Sequence, residues 1–198
     1  MTIDPRIELL EAVLAVRAPR RLTRGAKDQE AAVALVVRPG EDLEILLVQR
    51  ALRDADPWSG HVGLPGGRMH AEDRDLLATA LRETEEETGV SIANHGRTLG
   101  FLDDVEPATP RLPPIVIAPL VAAVGPGTVA VPDGREVTAT MWVPLDALRD
   151  PGARAEHLVE QEDFRRVFPA IRHGKRVVWG LTHRILMGFL DVAASAGL

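Results

Sequence analysis

The chain has 198 residues, 45% of them hydrophobic and 26% charged, with no cysteine and a net charge of −6. That length and composition suit one globular domain that buries its own core, and the missing thiols exclude disulfides, thiolate metal sites and cysteine nucleophiles. The acidic balance argues against a general nucleic-acid or anionic-membrane binder, because such surfaces need a basic excess to displace counterions.

Pro5 to Val16 reads as a helix capped by Asp4, with Ile7, Leu9, Leu10, Val13 and Leu14 on one broad face. Its acidic residues interrupt any apolar run, so the N-terminus does not read as a signal peptide, and no stretch approaches the roughly 20 apolar residues that span a bilayer. The expected compartment is the cytoplasm. The basic stretch Arg17 to Lys27 reads as a linker. Ala31 to Val37 and Leu43 to Gln49, rich in branched residues and separated by Pro39-Gly40-Glu41-Asp42, predict a hairpin.

Arg50 to Pro65 reads as a loop, and a helix follows from about Asp73 to Thr88, closed by Gly89. Arg97 to Asp103, Ile115 to Val124 and Val137 to Val143 predict three more strands. Pro107 to Pro114 is too rich in proline for a regular element and predicts a mobile surface loop. Pro144 to Leu148 predicts a turn of helix, Arg176 to Val178 a short strand, and Gly180 to Ala194 a C-terminal helix. This alternation implies a mixed α/β domain with helices packed on a sheet.

The chemistry concentrates in the central helix. At about 100° per residue, Glu83, Glu86 and Glu87 share one arc while Glu85 points away, and Leu77, Ala80, Leu81, Thr84 and Thr88 form an adjoining face suited to a sheet. Like charges at these spacings disfavour a helix by about 0.2 to 0.5 kcal/mol per pair, and their place near its C-terminal end opposes the dipole. A hard divalent cation, Mg²⁺ or Mn²⁺, would offset both effects, since it takes oxygen ligands and keeps waters that a phosphate can replace. Pro65-Gly66-Gly67 offers a backbone without Cβ atoms, whose carbonyl can join such a shell. Arg82 is placed to orient a carboxylate. Spacing alone does not separate this arrangement from a solvated acidic face; the surrounding string does.

Gly67, followed by Arg82-Glu83-Thr84-Glu85-Glu86-Glu87-Thr88-Gly89-Val90, resembles the Nudix box, with Thr84 a mild departure from an apolar position. The usual family spacing would put Gly and Glu at positions held here by Arg68 and Arg74. One extra residue lies between turn and helix, so the upstream acid is Asp73 or Glu72. That spacing, together with Leu46 to Ala51, Gly60 to Gly67, Glu136-Val137, Met141 to Leu145 and Val178 to Thr182, is similar to the branch of Nudix hydrolases that cleave coenzyme A. The loop between Ala51 and Gly60 is one residue longer than that branch's pattern, Arg53 is displaced with Asp54 to Ser59 intervening, and His61 and Leu64 replace its Gln and Phe. The branch likeness is therefore looser than the family likeness.

The resemblance implies a single Nudix hydrolase domain over residues 1–198, α/β (α+β) in class, with a mixed sheet sandwiched between helices and the box at about residues 66–90. It implies metal-assisted attack of water on a diphosphate, with Glu83, Glu86, Glu87 and the Gly66 carbonyl as metal ligands and Arg82 as the orienting cation. Glu83 and Glu136 are alternative general bases. Arg50, Arg53, His61 and Trp58 are candidate substrate contacts, each with a bland reading in surface charge, a structural hydrogen bond or loop packing. Trp142 and Trp179 are assigned to the core, and His157, Glu160 and Glu162 to a solvated polar segment. The implied partner is a small nucleotide or coenzyme: coenzyme A, ADP-ribose, a dinucleoside polyphosphate or a nucleoside triphosphate. No nucleic acid or membrane is implied, and a homodimer stays open. A Nudix-like module that senses a metabolite without cleaving it is the competing class, though such modules commonly lose box carboxylates that are all present here.

Overall fold

A computed structural model describes residues 4–23, 25, 29–54, 58–107, 114–161 and 164–198, apart from the side chains of Gln161 and Phe164. Most of the expected proline-rich loop, the end of the basic linker, Ala55 to Pro57 and Glu162 lie outside the described residues.

The first helix, α1 (Pro5–Val16), begins where expected: the Asp4 carboxylate accepts from the Arg6 amide at 2.9 Å, and proline occupies the first turn. Ile7, Leu10 and Leu14 are buried, whereas Leu9 lies outside the face predicted for it and is exposed. The first part of the basic segment, residues 17–22, is docked on the domain. Arg17 pairs with Asp103 at 2.6 Å, Arg21 with the fully buried Asp104 at 2.7 Å, and the Arg20 and Leu22 amides donate to the same two carboxylates. Sequence separation of more than 80 residues hid these pairings from local reading.

Strands β1 (Gln29–Pro39) and β2 (Leu43–Arg50) form the expected antiparallel hairpin, with Val37 opposite Ile45. β1 also runs parallel to β6 (Ile115–Val124), pairing from Gln29 with Ile115 to Val37 with Ala123. A central parallel pair is covered on both faces, so its strands read as continuous apolar runs without alternation. Ala31, Leu35 and Val37 face one core with α1 and the C-terminal helix α5 (Gly180–Ser195); Ala32, Ala34 and Val36 face another with Ala80, Val90 and Ile92. The sheet is thus sandwiched between helices, as the composition of these runs implies.

The stretch expected to be loop up to Pro65 contains β3 (Val62–Gly63), which pairs with β2, and the turn beyond it enters β4 (Gly66–Arg68), which pairs with β1. Strands of two or three residues carry no alternation signal; neighbouring ladders impose them. The acidic helix α2 (Leu76–Thr88) starts three residues later than predicted, with Asp75 accepting from the Ala78 amide at 2.7 Å. It ends at Gly89, whose φ of 66° is left-handed and whose N–H reaches the Glu85 carbonyl. Thr79 joins Ala80, Thr84 and Thr88 on the fully buried side, while Leu77 and Leu81 are only half-buried.

A short helix α3 (Ile92–His95) leads into β5 (Gly96–Phe101) at the edge beside β6, and β7 (Val137–Pro144) pairs with β2. The seven-stranded sheet runs β3-β2-β1-β6-β5, with β4 on β1 and β7 on β2. After α4 (Leu145–Arg149) comes the main departure from expectation. The segment read as polar and solvated is an antiparallel pair, β8 (Arg154–Gln161) and β9 (Phe164–His173), completed by β10 (Arg176–Trp179) into a second sheet ordered β10-β9-β8. Trp142 and Trp179 are half-buried rather than core residues: the Arg38 guanidinium lies 4.3 Å over Trp142, and His157 stacks on Trp179 at 4.2 Å.

Candidate active site

The turn before α2 is built by exclusion of side chains. Pro65 accepts from the Ala34 amide at 2.8 Å, laying the turn along β1. Gly66 has φ 151°, and a Cβ there would stand 2.4 Å from the Ala32 carbonyl oxygen; a Cβ on Gly67 would stand 2.4 Å from the Glu83 carboxyl. Gly66 thus lets the turn lie against β1, and Gly67 lets it approach the acidic face of the helix, each at a distance a side chain would not allow.

Glu83 and Glu87 are 9% and 3% exposed, and Glu86 has 60% of its side chain in solvent. The Gly66 N–H donates to Glu87 at 3.0 Å, joining turn and helix through the most buried carboxylate. Arg82 organises the rest. Its Nη1 donates to Glu83 at 2.9 Å and to Glu86 at 3.1 Å, while Nε and Nη2 form a fork on Asp73 at 2.9 and 2.8 Å. Asp73 also accepts from the His70 amide and the Thr79 hydroxyl, which identifies it, rather than exposed Glu72, as the acid held by Arg82. Such forked pairing is a guanidinium property that lysine lacks.

These surroundings push the carboxylates apart in acidity. Arg82, helped by the His70 and Thr79 bonds, holds Asp73 well below the usual carboxylate range against the opposing effect of burial. Burial raises Glu83, opposed by Arg82, and burial pushes Glu87 up to about 7, opposed by the Gly66 amide and Arg50, with Glu83 and Glu136 adding to the rise. Carboxylates so buried take a proton or a cation more readily than exposed ones. Among the described residues, no three Asp, Glu, His or Cys side chains already surround a common point as a metal would require. Glu85 points away, its carboxylate taking the Ser91 hydroxyl at 3.1 Å.

Glu136 reaches the same region from the loop before β7. Its carbonyl accepts from the Ala51 amide at 2.8 Å, its carboxylate lies 3.4 Å from Arg53, and its charge is felt by Glu87. Arg50, at the end of β2 opposite Val137, influences Glu87 in the opposite sense. The structure therefore brings together Arg50, Arg53, Arg82, Glu83, Glu86, Glu87, Gly66 and Glu136. The remaining two candidates adjoin Arg50 through the backbone, the His61 carbonyl accepting from the Arg50 amide at 3.0 Å and the Trp58 carbonyl from the His61 amide at 3.2 Å, while the Trp58 side chain packs on the main core and the His61 ring lies 4.8 Å from Trp179. Sequence reading passed over Asp133, whose carboxylate accepts from the amides of Arg135, Glu136 and Val137; its only signal was its place in Pro132-Asp133-Gly134.

A protein-family model described as the NUDIX domain matches residues 27–164. The human mitochondrial coenzyme A diphosphatase NUDT8 is 33% identical over 144 residues, covering 70% of this chain and 58% of NUDT8. Its mouse counterpart is 32% identical, with 65% of that protein covered, so this chain spans less than two thirds of either relative. An uncharacterized Nudix hydrolase, NudL of Pectobacterium atrosepticum, is 28% identical over 163 residues, covering 82% of both chains. The crystal structure of a MutT/nudix family protein from Enterococcus faecalis superimposes with a TM-score of 0.57 over 98% of this chain and 76% of that one at 18% identity, a likeness of fold. With the box residues gathered on one helix and the family model matched across most of the sheet, the chain belongs to the NUDIX domain family.

Proposed function

We propose that this protein is a diphosphohydrolase that cleaves the phosphoanhydride bond of a nucleoside diphosphate linked to another moiety, with coenzyme A or a derivative as the first substrate to test. The observation that carries this reading is the pair of buried carboxylates, Glu83 and Glu87, pressed against a glycine turn with a third carboxylate, Glu86, held at the same guanidinium. An all-oxygen donor set of this kind fits Mg²⁺ or Mn²⁺. Glu83, Glu86, Glu87 and the Gly66 carbonyl would hold the ion, Glu86 turning from Arg82 at little cost because an exposed i,i+4 pair is worth only about 0.3 to 0.5 kcal/mol. When bound, the ion supplies charge neutralisation of the diphosphate and a more acidic water.

The chain's own residues supply alignment and proton transfer. Arg82, clamped by Asp73, keeps the Glu83 carboxylate oriented, and Arg50 and Arg53 present guanidinium groups on the Glu136 side for the substrate's phosphate oxygens. The water oxygen bonds to one phosphorus, the anhydride P–O bond breaks, and the water proton passes to a carboxylate, Glu136 or Glu83. The looser match to the coenzyme A pattern in Arg53 to Leu64 makes ADP-ribose, a dinucleoside polyphosphate and a nucleoside triphosphate the alternatives within the same reaction class. The expected setting is the cytoplasm.

The test is product release from coenzyme A, ADP-ribose, diadenosine polyphosphates and nucleoside triphosphates with Mg²⁺ or Mn²⁺, wild type beside Glu86→Gln. Metal-dependent turnover that the substitution removes is the expected result. Tight binding of one of these compounds without turnover by wild type would replace the hydrolase with a metabolite-sensing module.

A further inference from the structure

We infer that Asp133 is a positioning residue that locks the Glu136-bearing turn onto the C-terminal end of the acidic helix. The inference rests on the proposed role of Glu136 as a working carboxylate. The segment from Val131 to Val137 crosses the end of α2, where the last carbonyls of any helix lack intrahelical donors. Val131 N–H donates to the Thr88 carbonyl at 2.8 Å, and Asp133 N–H donates to the carbonyl of Glu87 at 3.1 Å. The backbone of Asp133 is thus bonded to the residue that carries the most buried carboxylate of the site.

Its side chain faces the other way along the chain. The Asp133 carboxylate accepts from the Arg135 amide at 3.2 Å, from the Glu136 amide at 3.0 and 3.1 Å, and from the Val137 amide at 2.8 Å. Gly134, with φ 75°, makes the reversal sterically free and donates its N–H to the Val137 carbonyl at 3.0 Å. Charge-assisted bonds to successive amides are stronger than neutral ones and leave the turn few alternatives. On the far side, the Glu136 carbonyl is fixed by the Ala51 amide and its carboxylate by Arg53. A single aspartate therefore bonds the helix with its backbone and the Glu136 turn with its carboxylate, setting the distance between two carboxylates that come from segments 49 residues apart (136 − 87). Asparagine retains an acceptor oxygen and keeps the turn; alanine removes it.

The experiment follows amide hydrogen exchange and steady-state turnover of coenzyme A and ADP-ribose with Mg²⁺ in wild type, Asp133→Ala, Asp133→Asn, Glu136→Gln and the Asp133→Ala/Glu136→Gln double variant. Exchange at the Glu136 and Val137 amides should quicken at least about tenfold in Asp133→Ala and return towards wild type in Asp133→Asn. On the better substrate, Asp133→Ala should lower kcat about 10- to 100-fold while KM changes less than about twofold, with most of the loss recovered by asparagine. In the Glu136→Gln background the alanine substitution should cost less than about twofold more, because residues acting through one group are not additive. Unchanged exchange at those two amides, or multiplicative losses in the double variant, overturns the positioning role. Wild-type turnover by Glu136→Gln would instead remove Glu136 from the proposed mechanism, and the exchange rates would still decide whether Asp133 holds the turn.

Discussion

Two buried carboxylates flank the acidic helix, and they have opposite characters. Asp73, just before α2, is met by the Arg82 fork, the Thr79 hydroxyl and the His70 amide, and it stays charged well below the usual pH range. Glu87, near the helix's other end, accepts from the Gly66 amide and feels the charge of Arg50, and burial raises it to about 7. Both are carboxylates, but Glu87 is the more deeply buried, 3% exposed against 9%, and Asp73 has the stronger donors. Asp73 is a structural anion that completes an ion pair, whereas Glu87 is poised to accept a positive charge from outside the chain.

The sharpest way to break this contrast is at the carboxylates themselves. Glu86→Gln should lower kcat roughly 100- to 1,000-fold with little change in thermal midpoint, since an exposed side chain contributes to charge stabilisation rather than folding. Gly66→Ala should instead reduce stability by about 2 to 4 kcal/mol, read from urea unfolding, because its Cβ meets the Ala32 carbonyl and its backbone angle strains an L residue. Asp73→Asn should cost about 2 to 3 kcal/mol at neutral pH by leaving a partly buried Arg82 without its fork.

The pH dependence carries opposite signs at the two ends. Asp73 is lowered from 3.8, so its stabilisation is full above that value and is lost as pH falls through the folded value; the deficit of Asp73→Asn should therefore shrink below about pH 3.8. Glu87 is raised from 4.5 to about 7, so ionising it costs stability progressively as pH rises through that window. In chelator-treated protein, Glu87→Gln should be more stable than wild type at pH 8 and lose that advantage near pH 4.5. Unfolding midpoints at pH 3.5, 5 and 8 distinguish the two trends, and parallel curves would show that the two carboxylates do not differ as described. The smallest effect belongs to Glu85→Ala, which should change turnover less than about twofold because this carboxylate bonds Ser91 away from the site.

Most of the large sheet was legible because its strands are long and its helices carry caps. Pro5 to Val16, the β1–β2 hairpin, β6 and the Gly89 stop all read correctly from apolar runs, turn residues and a left-handed glycine. The second sheet was not. On β8, exposed Arg154, Glu156, Leu158 and Glu160 alternate with half-buried Ala155, His157 and Val159, so only one face meets the protein, and His157 on that face stacks on Trp179 beside Phe168. A hairpin of this composition looks like a polar segment until its packing partner is known.

At the site, local sequence was enough to place Glu83, Glu86 and Glu87 on one helical arc and to put two glycines ahead of them, because helical period and the absence of Cβ are properties of short segments. Which acid Arg82 holds, how deeply each glutamate is buried, and the meeting of Glu136 with Glu87 were decided only when β4, β7 and the Asp133 turn came together on the sheet. Burial and ion pairing depend on groups distant in sequence, and those are the quantities that separate the structural anion Asp73 from the receptive carboxylate Glu87.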